Sequence, residues 1–246
     1  MGAAMTTAEH RLDLQRRRRL GMVEAVWGEN KSPEQIAAIA VGLQEAGEVL
    51  LATRISAEKA EAVIALLGTP GVQHHPEARC LTSPELPAAI PERGRVGIVA
   101  GGTSDLAVAR EAQLSLACHG IASELVLDVG VAGLHRLLDQ LEGLRQADVL
   151  IACAGMEGAL PTVLAGLLPQ PVIGVPVSVG YGVSAGGLAA LNGMLASCAP
   201  GLTVVNVDNG YGAAMASLRI LSGRSLGAPL APGALGSSSS TASSQS

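Results

Sequence analysis

The sequence predicts an α/β protein: a doubly wound parallel sheet preceded by a smaller N-terminal α/β domain. Three observations carry that expectation. Five apolar runs, Val96–Ala100, Glu124–Asp128, Val149–Cys153, Val172–Val175 and Thr203–Val207, each give way to a helical or glycine-rich segment. Continuous apolar strands alternating with helices imply a parallel sheet covered on both faces. Between Asp148 and Asp208, Glu157 is the only Asp, Glu, Lys, Arg or His, so this stretch reads as interior. Finally, apolar residues make up 48% of the 246-residue chain and charged residues 15%, enough to bury a large core built from Ala, Val and Leu, since there is no Phe.

Residues 1–21 read as a polar helical lead-in containing the one basic run, Arg16–Arg19, a solvated helix face or a phosphate-facing patch. Residues 22–83 form a small βαβαβ unit. Val23–Trp27 is its first strand, and Ser32-Pro33-Glu34-Gln35 opens a helix with Ser as N-cap, Pro at the first helical position and Gln reaching back. Ile36, Ile39, Ala40 and Leu43 give that helix one apolar face before Gly47 ends it. Val49–Thr53 is the second strand, Ser56–Leu67 the second helix and Val72–His75 the third strand. The proline-rich residues 84–94 are a linker, residues 95–222 carry the larger sheet, and the low-complexity residues 223–246 are expected to be disordered.

Composition excludes several functions. Three aromatic residues and a net charge of −5 argue against a nucleic-acid partner, which needs stacking rings and clustered positive charge. Pro161, Pro169, Pro171 and Pro176 break the apolar stretch into pieces too short to cross a membrane. No secretory pattern opens the chain, and Cys80, Cys118, Cys153 and Cys198 show no paired spacing. A cytoplasmic protein with reduced thiols is expected.

In parallel sheets ligands bind outside the carboxyl ends of the strands, so the strand-end residues carry the functional reading. The first strand ends in Gly101 and Gly102, which let backbone approach a ligand, followed by Thr103, Ser104 and Asp105 at a helix start, an anion site or an ordinary cap. Asp128 closes the second, with His135 and Arg136 shortly after. Glu157 follows the third, where a lone carboxylate can hold Mg²⁺ or orient a water. The fourth runs into a glycine-rich wrap with Ser178, Gly180, Tyr181 and Gly182, and the fifth into Asn206, Asp208, Asn209 and Gly210. Five such ends describe a nucleotide-sized site. Cys198, near a helix C-terminus, reads by itself as a packed cysteine.

Taken together, "GRVGIVAGGTSD", "LDVGVAGLHR", "CAGMEGALPTVLAGL", "VIGVPVSVGYG", "LASCAPG" and "VVNVDNGYGAA", with "ENKSPEQ" and "LATRIS" upstream, resemble the LarB family of nickel-pincer cofactor biosynthesis. That family is a relative of the PurE-type carboxylases of aminoimidazole ribonucleotide. The resemblance implies a flavodoxin-like, PurE-like catalytic domain and a homo-oligomer, possible as an octamer. It implies nicotinic acid adenine dinucleotide and CO₂ or bicarbonate as substrates, with Mg²⁺ as cofactor. The products would be pyridinium-3,5-biscarboxylic acid mononucleotide and AMP. It makes Cys198 a nucleophile that adds to the pyridinium ring. Glu157, Asp128 and Asp208 then become candidate metal ligands, His135 a proton-transfer group and Arg136 a phosphate contact. The competing readings are an aminoimidazole ribonucleotide carboxylase or mutase, whose substrate ring needs no thiol, and a non-catalytic nucleotide-binding module.

Overall fold

The computed structural model describes residues 11–68 and 71–226; the first half of the lead-in and all but the first four residues of the expected tail lie outside them. Two sheets are present. The smaller contains β1 (Ala25–Trp27), β2 (Leu51–Thr53), β3 (Gln73–His75) and β4 (Cys80–Thr82) in the order β1-β2-β4-β3. Helices α2 (Pro33–Glu45) and α3 (Ala57–Leu67) pack on it, following α1 (Arg16–Leu20). The start of α2 is as the sequence dictates: Ser32 Oγ accepts the Gln35 N–H, and Gln35 Oε1 accepts the Ser32 N–H. Each bond satisfies a backbone donor that a helix start leaves free. Ile36, Ile39, Ala40 and Leu43 are buried against Ala52, Ile55 and Leu81.

Two expectations for this unit need correction. The first strand begins at Ala25 rather than Val23, because the Val23 N–H is taken instead by His119 Nε2 at 3.0 Å. And the sheet is not a three-stranded βαβαβ layer: Cys80–Thr82 forms a further strand, antiparallel to both β2 and β3. The turn Pro76–Ala78 reverses the chain after only three residues of β3, too short a run for periodicity to reveal. Arg16–Arg19 lie on a solvated helix, with Arg17 2.9 Å from Glu48 and Arg19 2.6 Å from Asp13.

The larger sheet holds β5 (Arg95–Ala100), β6 (Ala122–Val126), β7 (Val149–Ala154), β8 (Val172–Pro176) and β9 (Thr203–Val204). All neighbours are parallel in the order β6-β5-β7-β8-β9, which is the 2-1-3-4-5 order of flavodoxin-like folds. Alternate strand residues face opposite sides. Ile98, Ile151, Cys153 and Val175 pack under α4 (Leu106–Ala117) and α9 (Gly210–Leu226). Val99, Leu150, Ala152 and Val172 pack with α5 (Leu134–Leu138), α6 (Leu141–Leu144), α7 (Leu160–Leu167) and α8 (Leu188–Leu195). Burial on both faces explains why β5, β7 and β8 read as apolar runs.

Three differences from the sequence expectation concern strand ends. Strand β6 lies two residues earlier than expected, leaving Leu127 and Asp128 exposed beyond the sheet edge. β9 keeps only Thr203 and Val204 in register; Val205 and Asp208 still donate to Gly174 O and Pro176 O, but the chain there has left regular geometry. α9 continues through residues 223–226, which the sequence assigned to the tail. The segment 84–94 is docked, not free: the Ile90 N–H bonds Gly120 O, and the Arg93 guanidinium bonds His119 O.

Candidate functional site

The strand-end loops of β5, β6, β7 and β8 enclose a cavity of about 460 Å³. It exists because backbones approach closely there. A Cβ at Gly130 would lie 2.7 Å from Gly101 O, and one at Gly155 2.3 Å from Val179 O, so neither position accepts a side chain. Gly101, Gly102, Ser104, Asp105, Glu157, Gly180 and Tyr181 all line this cavity. These expected site residues are brought together by the fold. Thr103 lies on the same turn, exposed, and Gly182 follows Tyr181 on the exposed wrap.

Asp105 is buried, 5% exposed, and its Oδ2 accepts the Gly102 N–H at 2.8 Å. Burial pushes its carboxyl above the usual range, the Asp208 charge pushes the same way, and the N–H groups of Gly102, Gly155 and Gly101 oppose them. Such a group, facing a cavity, is suited to giving and taking a proton. Sequence reasoning grouped Asp105 with the phosphate-binding turn; its burial makes it a stronger proton-transfer candidate than His135, which is exposed on α5 and does not line this cavity.

The three carboxylates expected to bind Mg²⁺ do not converge. Asp128 is ion-paired with Arg136 at 2.6 Å, Glu157 is exposed at the main cavity, and Asp208 Oδ1 accepts the Ser178 N–H at 2.8 Å. Among the described residues no group of three or more His, Cys, Asp or Glu is placed to hold a metal ion. The described residues thus hold no preformed site of three protein ligands, and Arg136 is ion-paired with Asp128.

The remaining expected residues serve the end of β9. Asn209 Oδ1 accepts the Gly212 N–H and Asn206 Oδ1 the Val207 N–H, while both line a second cavity of about 320 Å³. Gly210 is buried, and a Cβ there would meet Val108 O at 2.3 Å, so it serves the close packing of α9 on α4. Ser178 lines a third cavity of about 130 Å³, with Asp208.

Cys80, Cys118 and Cys153 are buried and Cys198 is exposed. Burial pushes the Cys118 thiol up to about 12 and the Cys80 and Cys153 thiols up further, which removes all three as nucleophiles near neutral pH. Cys198 is thus not the packed cysteine its position implied. It sits in the loop between α8 and β9, beside Ser197, whose Oγ accepts from Thr162 and from the Ala199 N–H. It lines none of the three cavities.

Sequence reasoning missed Glu111 and His119. Glu111 is 6% exposed on α4 and accepts the Tyr211 N–H at 2.8 Å. The signal was present, a carboxylate on the apolar stripe of a helix. His119 Nδ1–H donates to Ser115 O at 2.6 Å, which leaves Nε2 as acceptor for the Val23 N–H.

A parallel 2-1-3-4-5 sheet whose strand-end loops surround a buried carboxyl defines a flavodoxin-like domain with its ligand site at the strand ends, here with a second α/β domain attached. Residues 95–227 match the AIR carboxylase family, and residues 5–85 match the LarB/PurE-like N-terminal domain. The chain belongs to the LarB family, related to the PurE-type carboxylases, and its function is of carboxylase type. It is similar to the uncharacterized protein MJ0165 of Methanocaldococcus jannaschii, 39% identical over 208 residues, 82% of this chain and 80% of that protein. It also resembles the N5-carboxyaminoimidazole ribonucleotide mutase of the same organism, 37% identical over 131 residues, 50% of this chain and 76% of the mutase. The mutase of Pyrococcus abyssi is 35% identical over 141 residues, 52% of this chain and 74% of the mutase. No helix among the described residues is long and apolar enough to cross a membrane.

Proposed function

We propose that the protein carboxylates the pyridinium ring of nicotinic acid adenine dinucleotide and hydrolyses its phosphoanhydride. The products are pyridinium-3,5-biscarboxylic acid mononucleotide and AMP, and the reaction belongs to nickel-pincer cofactor biosynthesis in the cytoplasm. The observation that carries this reading is Cys198, the one exposed thiol among four. An aminoimidazole ring is already nucleophilic and needs no thiol; a pyridinium ring is electrophilic and does. The Cys198 thiolate adds to a ring carbon, forming a C–S bond and a neutral enamine. The enamine carbon then attacks CO₂, forming the new C–C bond. Asp105, as carboxylate, takes the proton from that carbon, and expulsion of the thiolate restores aromaticity. Water then cleaves the phosphoanhydride. Mg²⁺, if bound, would be held by Glu157, Asp128 or Asp208 together with the substrate's phosphates and would polarise the phosphoanhydride.

Because Cys198 is exposed and lines none of the three cavities described above, we place it in a site completed by a second copy of the chain. Supporting this, Val183, Leu188 and Leu195 are exposed at 95%, 63% and 65% on a segment whose only charge is Glu157. An uncharged apolar face of this kind matches a homo-oligomer interface.

The test is mass spectrometry of the full chain with the dinucleotide, Mg²⁺ and ¹³C-bicarbonate. AMP and a mononucleotide carrying one labelled carboxyl are expected, and Cys198→Ala should abolish the label. The similarity to the mutases favours a second reading, carboxylation or mutase chemistry on aminoimidazole ribonucleotide. Turnover of that substrate, unaffected by Cys198→Ala, would replace the first.

A further inference from the structure

The main cavity adjoins a smaller one built from both domains. The cavity of about 130 Å³ shares Ser104 and Val179 with the main cavity, and its polar lining also includes Arg54, Arg79, Glu111, Ser178 and Asp208, beside apolar Ala and Val side chains. Arg54 directly follows β2 and Arg79 directly precedes β4, so the N-terminal sheet delivers both guanidinium groups to the strand ends of the larger sheet.

The backbone marks the same place. Five described non-glycine residues have positive φ: Arg54 at 56°, Arg79 at 52°, Asp128 at 57°, Met156 at 53° and Asp208 at 54°. Met156 lines the main cavity, and Arg54, Arg79 and Asp208 line its neighbour. Left-handed backbone is uncommon for arginine, and residues so held collect at binding sites that require their direction. The Arg54 guanidinium donates to Asp208 O at 2.8 Å and lies 3.8 Å from Glu29. Arg79 makes no side-chain hydrogen bond or ion pair among the described residues, although it borders the cavity. Of the two carboxyls present, Asp208 is engaged by the Ser178 N–H. Glu111 accepts from the Tyr211 N–H; burial pushes its carboxyl up, opposed by that bond and by the Arg54 and Arg79 charges, so both arginines face it across the cavity.

We propose that Arg54 and Arg79 form an anion subsite, supplied by the N-terminal domain, that takes the second phosphoryl group of a dinucleotide whose reacting half occupies the main cavity. This rests on the dinucleotide reading given above. Paired guanidinium groups suit a diphosphate, since their planar forks match phosphate oxygens. The subsite makes the N-terminal domain the selector of a dinucleotide over a mononucleotide. It also accounts for an added domain on a fold whose AIR carboxylase region, residues 95–227, contains neither arginine.

The test is calorimetric titration of the full chain and its Arg79→Gln variant with three probes: nicotinic acid adenine dinucleotide, nicotinic acid mononucleotide and inorganic pyrophosphate. Arg79 makes no side-chain hydrogen bond or ion pair among the described residues, so Arg79→Gln breaks no such bond, and an unchanged melting temperature verifies that the variant keeps its fold. A loss of about tenfold to a hundredfold in dinucleotide and pyrophosphate affinity is expected, with mononucleotide affinity within about twofold of the parent. Arg54→Lys should give a smaller loss in the same direction, because it keeps the charge and drops the fork. Unchanged dinucleotide affinity, or equal losses for both nucleotides, overturns the subsite while leaving the carboxylase reading intact. If neither nucleotide binds the parent chain but pyrophosphate does, and Arg79→Gln weakens it, the subsite stands and the dinucleotide reading falls.

Discussion

His119→Ala should loosen the joint between the two sheets, and its cost follows from the bonds it removes. The His119 ring is 5% exposed at the end of α4, donates from Nδ1 to Ser115 O at 2.6 Å and accepts the Val23 N–H at 3.0 Å. Val23 is itself 2% exposed, so its N–H loses its acceptor in a buried position. An unsatisfied buried donor costs about 1–3 kcal/mol. The space left by the imidazole adds to this, giving roughly 2–4 kcal/mol in all. For a chain of this size that corresponds to a melting temperature lower by about 5–15 °C. Burial, with the Arg93 and Arg17 charges acting the same way, holds the imidazole below its ordinary value, against the bond to Ser115. The folded state therefore prefers neutral His119. Its contribution is complete above the unfolded value of about 6.5 and is lost as pH falls through the lower folded value. Differential scanning calorimetry between pH 5 and 8 should show the variant less stable at pH 8 and its deficit narrowing toward pH 5. His135→Ala, at an exposed position, should stay within about 0.5 kcal/mol of the parent. If His119→Ala melts with the parent at pH 8, or His135→Ala falls as far, the clamp reasoning is wrong.

Asp105→Asn should keep nucleotide binding within a fewfold and lower the carboxylation rate by about 10²- to 10⁴-fold, read by ¹³C incorporation in single turnover. Mixing refolded Asp105→Asn and Cys198→Ala chains in equal amounts should restore about a quarter of parental activity, since sites shared between copies then regain both groups; no recovery on mixing would place both groups in one chain. Gly155→Ala should lower expression or melting temperature, because a Cβ 2.3 Å from Val179 O forces the β7 and β8 loops apart; a parental melting temperature would show that the loops yield.

The sequence by itself determined the elements of the larger sheet. Its central strands β5, β7 and β8 are buried on both faces, so each shows as an apolar run, as in Val149–Cys153 within β7. Local chemistry also determined the start of α2, because the Ser32 and Gln35 bonds lie within one turn. The turn after β5 was legible for the same reason, since Gly101, Gly102 and Asp105 are neighbours in the chain. The short β4 escaped because three residues carry no period, and its pairing with β2 is a contact across thirty residues. Only the tertiary structure decided what each polar residue does. Asp128 and Asp208 looked alike as strand-end carboxylates, yet one meets Arg136 and the other a backbone N–H. Likewise Asp105 becomes a proton-transfer group through burial, a property of everything packed around it. Arg54 and Arg79 lie in a domain that sequence reading kept apart from the site, and they reach it only because the two sheets dock. Burial and partner are set by the whole fold, which is why residue type and spacing located the strand ends but not the roles of the groups there.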